Sequence, residues 1–214
     1  MTYTPDDAAQ DQFFEELEKE LYPQHKEQAI EEFTRERLQS FYTKNPRIAA
    51  NAARSYREAK SLADHGHASA SFVFSVSSIE QFLKITLLKP VVYGLIHHES
   101  LADLIVELTI GQNGFDRYNK LLSKLFEALA EIDIANITRQ GATKKLLEEV
   151  AELQKTRNKI IHQGAEVQEI EAKEALEVTA AVFSEIVLRM FSALGLQIEK
   201  GGRIVTSDIW PKDV

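Results

Sequence analysis

The residues best suited to chemistry are an arginine and a histidine five positions apart, Arg157 and His162. The guanidinium of arginine keeps its proton and binds anionic oxygens. The imidazole of histidine exchanges protons near neutral pH. Asn158 and Lys159 lie between them. Arg157 and His162 together suit a site at which a negative charge is neutralised while a proton moves.

The helix that must carry these residues makes Arg157 informative. Its apolar side chains fall on one stripe, at about 100° per residue: Leu146, Val150, Leu153 and Ile160. Arg157 lies in the middle of that stripe, where a charge is expensive to bury without a partner. The helix therefore either buries a paired charge or faces a polar cleft at Arg157. Gly164 is the predicted helix end.

A second polar residue of interest, Glu80, lies in the most apolar helix of the chain. Residues 68–89 are apolar almost all round, which predicts a central helix that ends at Pro90. Glu80 shares a face with Ser77 and Lys84. Two interpretations have equal weight: a solvated strip with a local Glu80–Lys84 pair, or a carboxylate that faces Arg157 and holds its charge.

Composition limits the classes of protein that fit. A length of 214 residues predicts one domain with extensions, or two small domains. The absence of cysteine excludes a disulfide framework and cysteine-ligated zinc. A net charge of −8 argues against a protein that coats nucleic acid non-specifically. It leaves room for a local basic cleft, since cations cluster on and beside the helix of Arg157: Lys144, Lys145, Lys155 and Lys159.

Neither a membrane segment nor a metal site is expected. The acidic N-terminus does not resemble a signal peptide, and the longest apolar stretch, 82–96, is interrupted by two lysines and Pro90. We therefore expect a cytoplasmic protein. His65 and His67 form a pair in a predicted turn without an obvious third ligand, so we expect no metal and no cofactor.

The predicted fold class is all-α. Four long helices, at about 46–64, 68–89, 138–162 and 167–194, form an up-down bundle, and Thr143 is the expected N-cap of the third. An N-terminal helical arm (1–45) either extends the bundle or forms a dedicated binding arm. The bundle domain (46–195) contains a helical insertion (91–136). The tail (196–214) contains a β-hairpin with a two-residue Gly201-Gly202 turn.

The run Arg-Asn-Lys-Ile-Ile-His at 157–162 resembles the R-x4-6-H motif of the HEPN superfamily, small α-helical domains that are often metal-independent ribonucleases. The predicted bundle is similar to the HEPN four-helix core, with the motif near the end of the third helix. The resemblance covers about half of the chain. The arm, the insertion and the hairpin lie outside it.

The resemblance implies an endoribonuclease of the toxin or antiphage-defence type, held off by an antitoxin or another defence partner. Arg157 and His162 would cleave RNA, Asn158 would orient groups or contact phosphate, and Glu80 and Lys159 would support them. The ribose 2′-hydroxyl would attack the adjacent phosphorus and leave a cyclic phosphate.

Helix geometry adds a prediction about assembly. On an unbroken helix Arg157 and His162 lie about 140° apart, so a homodimer that joins two motifs would complete the site. Two alternatives remain open. One is a HEPN-like module that no longer cuts and serves dimerisation or partner binding. The other is a nucleotide-binding regulatory domain.

Overall fold

The computed structural model describes residues 13–14, 16, 32–96, 100–102, 122–124, 126–127, 129–199 and 202–207. These residues are mostly helical, with one small antiparallel sheet near the C-terminus. The all-α prediction is confirmed at that level. Further helical residues occur at 100–102 and between 122 and 130.

Five helices and two strands form the framework. Helix α1 spans 32–44, and α2 spans Ala50–Asp64. Helix α3 is continuous and consists of Ala68–Glu80, the π-helical turns Gln81–Leu88 and Lys89–Leu95. Helix α4 is Leu146–Gln163. Helix α5 consists of Glu169–Val182, π-helical Phe183–Val187 and Leu188–Ala193. The strands are β1, Leu196–Ile198, and β2, Ile204–Thr206.

Helix α3 is the centre of the bundle, as its composition predicts. It packs against α2, α4 and α5. Many of its apolar side chains are fully buried, among them Ile79, Leu83 and Leu88, whereas Phe74 and Ile85 are exposed. Small residues let α2 approach it closely. The hydroxyl of Ser78 donates to the carbonyl oxygen of Ala52 at 2.8 Å.

The prediction that Pro90 ends the central helix is wrong. Proline has no N–H to donate to a carbonyl in the preceding turn of the helix. In that turn, the hydroxyl of Tyr42, on α1, donates to the carbonyl oxygen of Thr86 at 2.6 Å. The π-helical turns just before Pro90 are the kind of local adjustment that absorbs such a defect. The helix therefore continues to Leu95.

Helix α1 extends the bundle over the part of the N-terminal arm that the structure describes well. Leu38 and Tyr42 are buried in the main core. Arg37 donates through Nε to the carbonyl of Gly94 at 2.7 Å, and Gln39 donates to the carbonyl of Leu194 at 2.6 Å. Most of the predicted first helix of the arm lies outside the described residues.

The motif helix begins later than predicted, and the expected N-cap, Thr143, is wrong. Gly141 has a φ of +80°, which is incompatible with a right-handed helix. The N-cap residue is Lys145, whose side chain makes no capping bond. The segment before α4 is fixed instead by a hydrogen bond from the Leu146 N–H to the Ile137 carbonyl, 2.8 Å long.

The C-terminal hairpin is confirmed, but its turn is not the predicted one. Leu196 pairs with Thr206 and Ile198 with Ile204. This register leaves an odd number of residues between the strands, so a two-residue Gly201-Gly202 turn does not fit. The Ile204 N–H donates to the Pro46 carbonyl at 2.8 Å, which joins the hairpin to the segment before α2.

The domain boundaries and the insertion stay predictions, because most of 91–136 lies outside the described residues. Where residues are described, they share one core. Leu122 and Phe126 are buried with Leu196 and Ile204 in the same apolar cluster as the bundle helices.

Among the described helices, one stretch, Ala68–Gly94, is long and apolar enough by composition to cross a bilayer. Most of its apolar window, 61%, is buried inside the protein. The core helix of a soluble protein has the same properties, so this finding is compatible with a soluble chain.

Candidate functional site

The two halves of α4 differ in burial. Leu146, Leu147, Glu149 and Val150, in its first turns, are buried. From residue 151 onward each side chain of α4 is half-buried or exposed. The apolar stripe is confirmed in this second half, where Leu153 and Ile160 pack against a small cluster on α3 and α5: Phe72, Val76 and Ala175. Helix α4 therefore leaves the core after Val150, and the whole motif lies on its less buried half.

Arg157 lies between Leu153 and Ile160 on that stripe and is half-buried. Its Nε is buried and has no hydrogen-bond partner among the described residues. Its Nη1 donates to Oδ1 of Asn158 at 3.2 Å. Among the residues that the structure describes, no carboxylate forms an ion pair with it. Of the two possibilities raised by the sequence, the buried paired charge is therefore not what the structure holds.

His162, Asn158 and Lys159 are exposed. Helix α4 stays regular through Gln163 and ends at Gly164, which has a φ of 65°. Arg157 and His162 are therefore about 140° apart and about 7.5 Å apart along the axis. Asn158 and His162, four residues apart, share a face. On this regular helix Arg157 and His162 therefore point in different directions within one chain. Asn158 projects at an angle between them, about 100° from Arg157.

Glu80 faces the motif helix but not Arg157. It is half-buried and accepts a hydrogen bond from Nε2 of Gln154 at 3.0 Å. Neither sequence-based interpretation named this contact. Gln154 precedes Arg157 by one turn, so the Glu80–Gln154 bond fixes α4 against α3 immediately before the candidate site.

An ion-pair cluster around Arg139 was not predicted from the sequence. Nε of Arg139 donates to both carboxylate oxygens of buried Glu149, at 3.0 and 3.1 Å. Its Nη1 and Nη2 reach Glu177 at 3.0 Å and Glu174 at 3.4 Å. The one available signal was Glu149, a carboxylate that flanks the apolar stripe. Its partner comes from a non-helical segment, which helical periodicity does not place.

The Arg139 cluster lines a pocket of about 370 Å³ between the segment before α4, α4 itself and α5. Neither Arg157 nor His162 lines it. Within the described residues there is no group of three His, Asp or Glu side chains placed to hold a metal ion. His65 is exposed, and its Nδ1 lies 2.7 Å from the carbonyl oxygen of Ser61.

Comparisons of this chain with protein-family models, curated proteins and solved structures found no match. The resemblance to the HEPN superfamily therefore stays a prediction that depends on the motif at 157–162.

Proposed function

We propose that this chain is a HEPN-like, metal-independent endoribonuclease of the toxin or defence type, active as a homodimer. The observation that carries the proposal is the state of Arg157. It is a cation on a core-facing stripe, and in the part of the chain that the structure describes its buried Nε has no partner and no carboxylate pairs with it. Such a group costs stability in the free protein. An anion that reaches it would supply the missing acceptor.

A phosphate diester of RNA fits this arrangement because an imidazole lies on the same helix. The 2′-oxygen would bond to phosphorus while the bond from phosphorus to the 5′-oxygen breaks. The products are a 2′,3′-cyclic phosphate and a 5′-hydroxyl. The 2′-hydroxyl loses a proton and the 5′-oxygen gains one, and His162 would carry these transfers. Arg157 would stabilise the charge on the non-bridging oxygens.

The dimer is part of the proposal because of the angle on α4. With Arg157 and His162 about 140° apart on a regular helix, one phosphate does not reach both in one chain. A two-fold axis beside α4 would place Arg157 of one chain opposite His162 of the other. Asn158, already bonded to Arg157, would orient the guanidinium, and exposed Lys159 would add positive charge for RNA.

Glu80 has a positioning role in this proposal, exerted through Gln154. An antitoxin or defence partner and a cytoplasmic location belong to the same proposal, since they accompany the proposed type of enzyme. They draw no support from the contacts of the described residues.

A second candidate function is a HEPN-like module that binds a partner without cutting. Two exposed apolar side chains near the motif favour it. Ile161 is 46% exposed beside His162, and Ile170 is 73% exposed at the start of α5. Isolated surface apolar residues are normal, but Ile161 lies within the motif itself, so an interface formed by the motif would cover it. Both functions need that interface, and only the first needs His162.

The first experiment is RNA cleavage in EDTA by the full-length chain. We expect cleavage with cyclic-phosphate ends, and loss of at least about 100-fold in His162→Ala and Arg157→Leu. Matched controls are His65→Ala, an exposed histidine in a turn, and Arg189→Leu, an exposed arginine on α5. If His162→Ala cuts RNA as fast as His65→Ala, the proposed site is wrong. If wild type and all variants leave varied RNAs intact, the nuclease proposal is wrong and the binding module is favoured.

The second experiment tests the shared site. Arg157→Leu and His162→Ala chains are mixed in equal amounts and allowed to exchange subunits. A heterodimer then has one intact Arg157–His162 pair across the interface. We expect roughly one quarter of wild-type activity in the mixture, since about half of the dimers are mixed and one of their two sites is intact. A mixture as inactive as its components would show that each site belongs to one chain.

A further inference from the structure

Helix α2 and the segment before it form a basic surface on an acidic protein. Residues 44–64 contain five Lys or Arg and two acids, Glu58 and Asp64, although the whole chain has a net charge of −8. All five cations are exposed: Lys44, Arg47, Arg54, Arg57 and Lys60. We call them the α2 cations. The one hydrogen bond that the structure gives them joins Arg54 to Asn51. Their charge is unneutralised by ion pairs within the described chain.

A pocket of about 330 Å³ opens beside the α2 cations. Arg57 and half-buried Tyr56 line it from α2, Phe82 and Phe183 line it from α3 and α5, and Gly202 of the hairpin lines it as well. The two phenylalanine rings are 5.3 Å apart. Its wall is mostly aromatic and aliphatic, and its cation lies among the α2 cations. It combines an apolar ring-binding surface with an anion-binding edge.

The π-helical turns of the two long helices meet at this pocket. Phe82 is the second residue of the π-helical segment of α3, and Phe183 is the first residue of that of α5. The π-helical segment of α5 has no proline beside it, and short π-helical segments of this kind occur often at functional sites. Both segments bring an aromatic side chain to one pocket.

From these observations we infer that the α2 cations and the adjacent pocket form a second RNA-contact surface, separate from Arg157 and His162. The cations would bind backbone phosphates, and the pocket would take an unstacked base against Tyr56 and Phe183. Single-stranded RNA is bound in this way, by positive charge along the backbone and aromatic stacking of bases. The choice of RNA as ligand rests on the proposed function. Helix α2 packs on α3 and α5, whereas the candidate site lies on α4.

The test measures binding rather than cleavage, by fluorescence anisotropy of a labelled single-stranded RNA with full-length chain carrying His162→Ala. The α2 variant adds substitutions at three of the α2 cations, Arg54→Gln, Arg57→Gln and Lys60→Gln. The charge-matched control adds Lys124→Gln, Lys144→Gln and Arg189→Gln, three exposed cations on other parts of the fold. We expect the α2 variant to bind RNA at least about tenfold more weakly than the control at 0.15 M salt. The salt slope of log K should fall by about 2.

The pocket is tested in the same assay with Ala180→Leu, an exposed position on its rim that fills it without touching the core. We expect a loss of about three- to tenfold in RNA affinity with an unchanged salt slope, because stacking is lost while phosphate contacts remain. Tyr56→Ala should give a similar loss.

The outcomes separate this inference from the proposed nuclease. Equal RNA affinities of the α2 variant and its control would overturn the inference even if wild type cleaves RNA. The absence of RNA binding up to millimolar protein would overturn it as well. RNA binding that depends on the α2 cations, together with no cleavage by wild type, would support the inference and reject the nuclease.

Discussion

Two arginines lie near opposite ends of helix α4, and they differ in whether a carboxylate pairs with them. Arg139 precedes the helix and contacts its first turns, and Arg157 belongs to its last turns. At the first turns, Arg139 bonds buried Glu149 through both oxygens and also reaches Glu174 and Glu177. Near the last turns, Arg157 has one bond to a neutral neighbour and a buried Nε without a partner. Both side chains are half-buried. Among the described residues, carboxylates pair with Arg139 and none pairs with Arg157.

The difference separates a structural cation from a cation available for binding. A buried ion pair is strongly coupled to folding, because removal of one partner leaves the other charged and desolvated. A cation with no internal partner contributes little to folding and keeps its donors for a ligand. The contrast is measurable as a difference in unfolding free energy between matched substitutions.

The largest effect is expected for Arg139→Leu. Removal of this guanidinium leaves Glu149, which is 7% exposed, as a buried carboxylate without a cation. We expect a loss of about 3 kcal/mol in the free energy of unfolding by urea. The control is Arg189→Leu, whose exposed pair with Glu185 should cost less than about 0.5 kcal/mol. Equal small losses in both variants would mean that Arg139 is not structural.

The next effect tests the same rule on a neutral donor. Tyr42→Phe removes the hydroxyl that donates to the Thr86 carbonyl, one turn before Pro90. We expect a loss of about 1–3 kcal/mol, measured by urea unfolding, because a buried acceptor loses this donor. A variant as stable as wild type would show that the carbonyl needs no donor.

Tyr42→Phe also has an expected pH signature. Burial raises the pKa of the Tyr42 hydroxyl well above its usual value. The unfolded chain then ionises Tyr42 near pH 10 while the folded chain does not. The contribution of the protonated Tyr42 to the free energy of unfolding is therefore complete below pH 10. Above pH 10 it falls by about 1.4 kcal/mol per pH unit. We expect the variant to lose stability above pH 10 less steeply than wild type by that amount. Parallel curves would contradict this.

A smaller effect of opposite sign is expected for Arg157→Leu. Leucine continues the stripe between Leu153 and Ile160 and removes the unpartnered Nε. We expect an unchanged or higher free energy of unfolding, by up to about 1 kcal/mol, together with the loss of cleavage described above. A destabilisation as large as that of Arg139→Leu would remove the contrast between the two arginines.

The smallest effect is expected for His162→Ala. The imidazole is exposed in the last turn of α4. We expect a thermal unfolding midpoint within the range of other surface substitutions, equivalent to about 0.5 kcal/mol or less. Circular dichroism of wild type and variant would check this. A large shift would mean that any loss of cleavage reports misfolding.

Periodicity alone located the parts of the fold that follow one helix face. It placed α2 and α5 to within a few residues, the core position of α3, the stripe on α4 and the end of α4 at Gly164. It failed at Pro90 and at the start of α4. At both points a partner distant in sequence decides the outcome, Tyr42 in one case and Ile137 in the other.

The candidate site was predictable to the same extent. An arginine on an apolar stripe identified Arg157 as unusual, and its unpartnered Nε is what the structure adds. The bond between Glu80 and Gln154 and the Arg139–Glu149 cluster depend on how separate elements pack. Patterns along one helix do not contain that information.

The bond from Tyr42 to the Thr86 carbonyl has a consequence for how this sequence varies through evolution. The bond joins α1 to the turn of the central helix from which Pro90 removes a backbone donor. Relatives that lack the proline have one more N–H in that region, so the hydroxyl at position 42 should matter less in them and phenylalanine there should be better tolerated.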